Sequence, residues 1–414
     1  MVYFETYRNK IKKIDIDPNI FLKKSKIEKV FEIADLFFFS LTNIKKKYFL
    51  KEEIKSYQTN ISKFENIFVR SSYKITNKIL TLTHTLYVGK RTIKNDTEII
   101  SIRKNKFIID GYNNLMKVTP VTEEKLNYYS AYKGIVETNE CDQMAHMNVQ
   151  FYFEKHSEAL KLFSEKIFEN NSAFQIDSER CIFHREVHEN NSLEIVISVK
   201  KIKDNSITIL SNLYCVCGKY ISAFFETKIK FDQDYNKVKD KISKLINKTQ
   251  LTFFNHNNFK ALRKLENINI NKKPAKNSFI TCRKAVNSWD LDENGEATSK
   301  FKISCVSDAA TQFFTRCGAD YNWRNNYKIG SAALDYFVRY YNSPSLGMAL
   351  SLKSNFLEVG NKSFKFCHHL IDDSSSKVLM DIQIVAVLFD IKKRKAIEIP
   401  KSFKKLALNL VARN

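Results

Sequence analysis

A repeat at one constant spacing constrains this chain more than any other feature. Asp142, Ser157, Glu158, Ala159 and Phe163 return 150 residues later as Asp292, Ser307, Asp308, Ala309 and Phe313, in the same order. Both stretches also run on to a closing Phe-Asp, at Phe231-Asp232 and Phe389-Asp390. Such a match means internal duplication, which sets the architecture before any local detail. A third copy is degenerate: Asp17 and Ala34 fit Asp142 and Ala159 at a spacing of 125, with little else in common.

Each copy is predicted to run strand, helix, strands. In residues 1–115, Ile27, Val30, Phe31, Ala34, Phe38 and Leu41 keep helical spacing between Ser25 and Leu41. Strands are expected at Ile67 to Ile75, Ile79 to Val88 and Thr97 to Ile109, separated by turn residues. In residues 127–235, Tyr152, Ala159, Leu160, Phe163 and Ile167 share one face of a helix from Val149 to Phe168. Strands follow at Leu193 to Lys200, Ser206 to Cys217 and Ile221 to Phe231. Residues 236–277 read as a linker with a lysine-rich helical part over Val238 to Lys248. In residues 278–405 the helix is expected near Val306 to Arg316, with strands at Leu346 to Phe356, Ser363 to Ile371 and Val378 to Asp390. Period-two alternation over successive strands means an antiparallel sheet with one covered face, and the preceding helix is the cover. The class is α+β.

With 43% hydrophobic residues in 414, the chain has enough apolar side chains for a sizeable core. Its net charge of +23 comes from lysines interspersed along the whole length, which reads as a solvated surface suited to an anionic ligand rather than a nucleic-acid stripe. The eight cysteines are scattered; Cys215 and Cys217 are placed on one face of a strand as buried thiols. Reduced cysteines point to the cytosol, and the N-terminus has no signal-peptide core. No apolar run approaches the roughly 18 residues of a membrane span. The expected location is cytoplasmic. His184 and His188 fall on one face of a predicted strand with no third ligand in view, so no metal and no cofactor is expected.

Glu140-Cys141-Asp142-Gln143-Met144-Ala145-His146-Met147-Asn148 forms a polar loop entering the second helix. Asn148 is a good N-cap, and Asp142 stands just ahead of a helix start whose free amides favour negative charge. A carboxylate beside such amides suits attack on a carbonyl whose oxyanion must be held.

This loop resembles the signature of hotdog-fold thioesterases of the 4-hydroxybenzoyl-CoA type, Asp-x-x-Gly-His-x-Asn followed by an aromatic and a helical Glu. Asp142, His146, Asn148, Tyr152 and Glu158 match, and Ala145 replaces the glycine. The resemblance implies tandem hotdog units, two clear and one degenerate, and hydrolysis of an acyl-CoA. It assigns Asp142 as base or nucleophile, with Glu158 as the second carboxylate. His146, Asn148 and Tyr152 bind substrate or support the loop. In the third copy Asp292, Asp308 and Gly295 are kept, but Glu296 and Thr298 replace the histidine and asparagine, so that site reads as vestigial. Hotdogs of this family work in pairs, and three units per chain imply a homodimer. The alternatives are an acyl-CoA hydratase or dehydratase, for which Asp15-Ile-Asp-Pro-Asn19 is an echo lacking the histidine, and a non-catalytic acyl-CoA-binding protein.

Overall fold

The computed structural model describes residues 4–12, 15–19, 21–42, 44, 46–57, 66–89, 97–110, 129–167, 174–231, 239, 242 and 273–413. The first part comprises β1 (Phe4–Lys10), α1 (Lys24–Thr42), β2 (Lys46–Ser56), β3 (Asn66–Thr76), β4 (Ile79–Gly89) and β5 (Thr97–Ile109). The second comprises β6 (Tyr129–Ile135), α2 (Val149–Ile167), β7 (Phe174–Phe183), β8 (Ser192–Lys203), β9 (Ser206–Cys215) and β10 (Tyr220–Phe231). The third comprises β11 (Phe279–Ala285), α3 (Ser299–Thr315), α4 (Tyr321–Tyr327), β12 (Ile329–Tyr340), β13 (Ala349–Val359), β14 (Ser363–Asp372), β15 (Val378–Asp390), β16 (Lys395–Ala396) and α5 (Lys401–Asn409).

All sixteen strands join one antiparallel sheet in the order β11-β13-β14-β15-β12-β7-β10-β9-β8-β6-β1-β3-β4-β5-β2, with β16 beside β15. Within each part the first strand pairs the third, then come the fourth, the fifth and, last, the strand after the helix. The second part runs in reverse, so it meets the third through the two post-helix strands, β7 and β12, and the first through the two first strands, β6 and β1.

The spacings of 125 and 150 extend far beyond the residues that announced them. β1, β6 and β11 begin at Phe4, Tyr129 and Phe279, and α1, α2 and α3 at Lys24, Val149 and Ser299. Each first strand carries its register shift at the same place, Thr6, Ala131 and Thr281. A bulge is a built feature of a strand, so its recurrence marks common geometry. Ala34, Ala159 and Ala309 are fully buried on their helices. The first and third parts share a buried hydrogen-bonded chain: Thr6 to Ser71 and Ser71 to His84, both 2.6 Å, match Thr281 to Ser354 and Ser354 to His368, both 2.6 Å. In the second part the corresponding positions carry Ala131, Ile197 and Ser211. There the histidine comes from the helix instead, His156 Nε2 meeting Ser211 Oγ at 3.1 Å.

One hydrophobic core runs through the second and third parts, where α2 packs on α3. Two smaller clusters lie under α1. Across the β7–β12 seam Arg180 clasps Asp335 through two hydrogen bonds of 3.1 and 2.7 Å, and the Tyr340 hydroxyl donates to Glu179 at 2.7 Å.

Several expectations need correction. The third helix begins at Ser299, not near Val306, because Thr298 caps it by accepting from the Phe301 amide at 3.2 Å. Strand β9 ends at Cys215, and Cys217 lies exposed in the turn beyond it, with the sulfurs 3.5 Å apart. Strand β7 ends at Phe183, so His184 and His188 are not on it. Apart from Lys239 and Ile242, the helical part expected over Val238 to Lys248 lies outside the described residues. Among the described residues, no helix is long and apolar enough to cross a membrane.

Candidate active site

The loop between β6 and α2 is built on buried charges. A single 3-10 turn, Thr138–Glu140, is closed by Glu140, whose carboxylate accepts from the Glu137 amide at 2.9 Å. Lys155, nearly two turns into α2, donates to the other oxygen of Glu140 at 2.7 Å, and to the Tyr132 hydroxyl and the Ile135 carbonyl, both at 3.2 Å. Burial pushes the Glu140 carboxyl up and Lys155 pulls it back. Lys155 itself stays charged, since burial is outweighed by Tyr132 and Glu140.

Asp142 follows, exposed at the loop's tip. Its Oδ1 accepts from the Met144 amide at 2.8 Å and the His146 amide at 3.3 Å, and its carbonyl accepts from the Ala145 amide at 2.9 Å. This tight turn puts Ala145 at φ +59°, and its counterpart Gly295 sits at φ +78°. The left-handed region is where glycine is normally needed. Asn148 caps α2 by accepting from the Gln150 amide at 3.2 Å, and the same oxygen accepts from Ser307 Oγ of α3 at 3.0 Å. The cap therefore ties the loop to the neighbouring unit's helix. Among the described residues the Val149 amide, first of α2, has no acceptor.

His146 and His188 are brought together by a backbone bridge, their rings 4.9 Å apart. His188 Nδ1 donates to the Ala145 carbonyl at 3.1 Å, bracing the strained residue. His146 Nδ1 lies 3.3 Å from Glu186, whose other oxygen is held by Arg394 of the third part. Burial lowers the His146 pKa, against the pull of Asp142. His146, Glu186 and His188 have metal-ligand chemistry within 4.8 Å of one another. With the Arg394 guanidinium already on Glu186, the cluster is a charge-balanced brace between loop and third unit.

The other expected residues lie elsewhere. Tyr152 is buried, its hydroxyl 3.2 Å from Ser222, so it supports the helix from the core. Glu158 is ten residues past the cap, about 15 Å along the helix. It pairs with Lys12 of the first unit at 2.5 Å. Burial opposes its ionisation, but Lys12 outweighs burial and holds the carboxyl below its usual range. Asp308 is half-exposed on α3 and pairs with Lys284 at 2.5 Å.

The third unit's loop has the same frame. Asp292 Oδ1 accepts from the Asn294 and Glu296 amides at 2.9 and 3.1 Å, and Asp290 accepts from the Asn287 amide at 2.9 Å. Here cations close over it. Lys161 of α2 donates to Asp292 at 3.0 Å and to Glu293 at 2.8 Å, and Lys10 of β1 reaches Glu293 at 3.2 Å. Lys161, Glu293, Ser307 and the Glu140–Lys155 pair were not legible as site residues. Ser307 left a trace as a member of the repeated set, and Glu140 as the first residue of the polar loop. A separate open cavity of about 700 Å³ is lined by Lys273, Lys276, Lys353, Lys377 and Tyr341; no loop residue from 136 to 148 lines it.

Residues 286–406, the third unit, match the family model of the thioesterase-like superfamily. No curated protein matches the chain. Similar solved structures include a putative oleoyl thioesterase from Lactobacillus plantarum, 10% identical, covering 63% of this chain and 96% of its own, at a TM-score of 0.47. An acyl-ACP thioesterase from Bacteroides thetaiotaomicron is 10% identical over 63% of this chain and 98% of its own, also at 0.47. A 12:0-ACP thioesterase from Umbellularia californica is 8% identical over 64% and 98%, at 0.46.

Proposed function

We propose that this chain is a thioesterase built of three hotdog units, residues 1–115, 127–235 and 278–405, which hydrolyses an acyl-CoA thioester at the Asp142 loop. The observation that carries the reading is the loop itself: a carboxylate fixed by two amides, set ahead of a capped helix whose first amide has no acceptor among the described residues. The thioesterase-like match to the third unit supports it, because that unit's loop has the same hydrogen-bonded frame.

In this mechanism one oxygen of Asp142 is committed to the turn and the other takes the proton of the attacking water. Water oxygen bonds to the thioester carbon while the Val149 amide, at the positive end of α2, polarises the carbonyl oxygen. The carbon–sulfur bond then breaks, the acid leaves, and the coenzyme A thiolate recovers the proton. His146 and Asn148 hold the loop, and Asn148 fixes its position against α3.

Thiol release measured over a panel of acyl-CoA and acyl-carrier-protein substrates, beside enoyl absorbance, tests the proposal. Thiol release supports it. An absorbance change without thiol marks a hydratase, and binding without turnover marks an acyl-CoA-binding protein; either result overturns it.

A further inference from the structure

The turn between β9 and β10 sets two thiols side by side. Strand β9 ends at Cys215, which is fully buried, and the chain turns through Val216-Cys217-Gly218-Lys219 into Tyr220 at the head of β10. The Val216 amide donates to the Ser192 carbonyl at 2.8 Å, the Lys219 amide donates to the Val216 carbonyl at 3.3 Å, and Lys219 takes φ +54°. This bend carries Cys217 out of the strand and into solvent, while its sulfur stays 3.5 Å from that of Cys215. Gly218 permits the close packing: a Cβ there would collide with the Tyr220 ring and stand 3.2 Å from the Cys215 sulfur. The ring is itself pinned, its hydroxyl donating to the Glu186 carbonyl at 2.7 Å and the Arg185 guanidinium lying over its face at 4.2 Å.

Of the eight cysteines, Cys217 alone is exposed. A thiol attacks as its thiolate, so reactivity falls to sites that are accessible and stabilise the anion. The hydrogen bond with Cys215, joined by backbone hydrogen bonds at Ser192, Gly218 and Cys217, outweighs burial and pulls the Cys217 thiol down. The same hydrogen bond, together with burial, pushes the Cys215 thiol up. One sulfur is thus open and favours the thiolate, and its neighbour keeps a proton. An accessible cysteine poised beside a resolving one is the arrangement of a redox-sensing pair.

We propose that Cys215 and Cys217 are a peroxide-reactive dithiol, in which Cys217 attacks a hydroperoxide and Cys215 closes a reversible disulfide. The Cys217 sulfur bonds to one oxygen of the hydroperoxide and the O–O bond breaks. The released oxyanion takes up a proton and leaves as an alcohol, or as water when the oxidant is hydrogen peroxide. Cys217 is then a sulfenic acid. The Cys215 sulfur attacks the Cys217 sulfur, the S–O bond breaks, and the Cys215 proton leaves with the hydroxide as water. Two thiols give up two electrons and two protons to the hydroperoxide. The sulfurs close to a bond of about 2.05 Å, a movement the exposed half of the turn supplies. A thiol reductant restores the pair, as for the transient disulfides of reducing compartments.

Peptide mapping of the full chain tests this: the reduced protein is treated with stoichiometric hydrogen peroxide, and the remaining thiols are alkylated in denaturant. Trypsin releases Asp204–Lys219, which carries Cys215 and Cys217 and no other cysteine. The expected result is this peptide unalkylated and two hydrogens lighter, and doubly alkylated once dithiothreitol is added before alkylation. Cys217→Ser, a change at an exposed turn position, is expected to leave Cys215 reduced at the same dose. In Cys215→Ser the Cys217 sulfenic acid persists and is captured by dimedone. Three results overturn the proposal: a peptide alkylated at both cysteines after peroxide, Cys217 oxidised without the internal bridge, or a Cys217→Ser chain whose Cys215 oxidises at the wild-type rate. Should Cys215→Ser not fold, the wild-type map and Cys217→Ser decide between these outcomes. No thioester enters the measurement, so failure of the thioesterase assignment leaves the dithiol standing, and the reverse.

Discussion

Lys161 reaches from α2 to Asp292 at 3.0 Å, whereas Asp142, the residue in the matching loop, has no cation partner among the described residues. The two loops share their internal hydrogen bonds, so the difference lies in what covers them. In Asp292 the turn amides hold Oδ1 and Lys161 holds Oδ2, so neither oxygen is left to take a proton from water. The pseudo-symmetric pair thus has one loop carboxylate open to solvent and one closed by cations. Asp292→Asn is expected to leave kcat/KM for thioester hydrolysis unchanged, measured beside the wild type at saturating and limiting substrate.

Ala145 at φ +59° carries a strain its counterpart Gly295 avoids. Left-handed backbone costs a non-glycine residue about 1 kcal/mol, partly offset by the extra freedom glycine has when unfolded. Ala145→Gly should therefore stabilise the fold by about 0.5 kcal/mol or slightly more, and Gly295→Ala should destabilise it. Urea denaturation midpoints of the two variants, compared at equal m-value, check the sign of each.

Lys155 is 4% exposed and Glu140 7% exposed, so their charges depend on one another. Removing one partner of a buried pair leaves the other uncompensated, at a cost of about 3 to 5 kcal/mol. Lys155→Met should lose stability of that order, and adding Glu140→Gln, which keeps the acceptor for the Glu137 amide, should restore part of it. A double-mutant cycle by chemical denaturation measures both.

Glu293 joins all three units through Lys161 and Lys10. Burial alone would raise its carboxyl, but the two lysines hold it down to about 2. A folded-state pKa below the unfolded value of about 4.5 means stability that is full above pH 4.5 and lost as the pH falls toward 2. Glu293→Gln should be less stable than the wild type at neutral pH and lose less between pH 4.5 and 2. Thermal unfolding across that range shows whether the two curves converge.

The sequence made the α+β class and most of the strands legible, because β8 and β10 alternate, β14 and β15 are long apolar runs, and the turns between strands carry breakers. Strands β2, β7 and β12, which follow the helices, were harder. Lys46 to Ser56 is exposed along its whole length, and so shows no buried face from which to read a period. The first unit looked degenerate because it was compared with the second. At the positions where the first and third units have Thr, Ser and His, the second has Ala131, Ile197 and Ser211, and its histidine moved to the helix.

At the site, local chemistry was readable and partnership was not. Asn148 as a cap and position 145 as a left-handed turn follow from neighbours within a few residues. His146 with Glu186, His188 and Arg394, or Asp292 with Lys161, depends on contacts between elements far apart in the chain, which no spacing announces. Glu158 illustrates the converse: its place on the helix was legible, but only the packed first unit supplies Lys12 to neutralise it.

The most direct test of the account is thiol release by the intact chain with Asp142 changed to Asn, a substitution that keeps an oxygen for the Met144 and His146 amides while removing the base. General-base catalysis contributes roughly 10²- to 10⁴-fold. The account predicts that Asp142→Asn loses turnover by about that factor, with its unfolding midpoint close to the wild type's. A folded Asp142→Asn enzyme that releases thiol at the wild-type rate would contradict it.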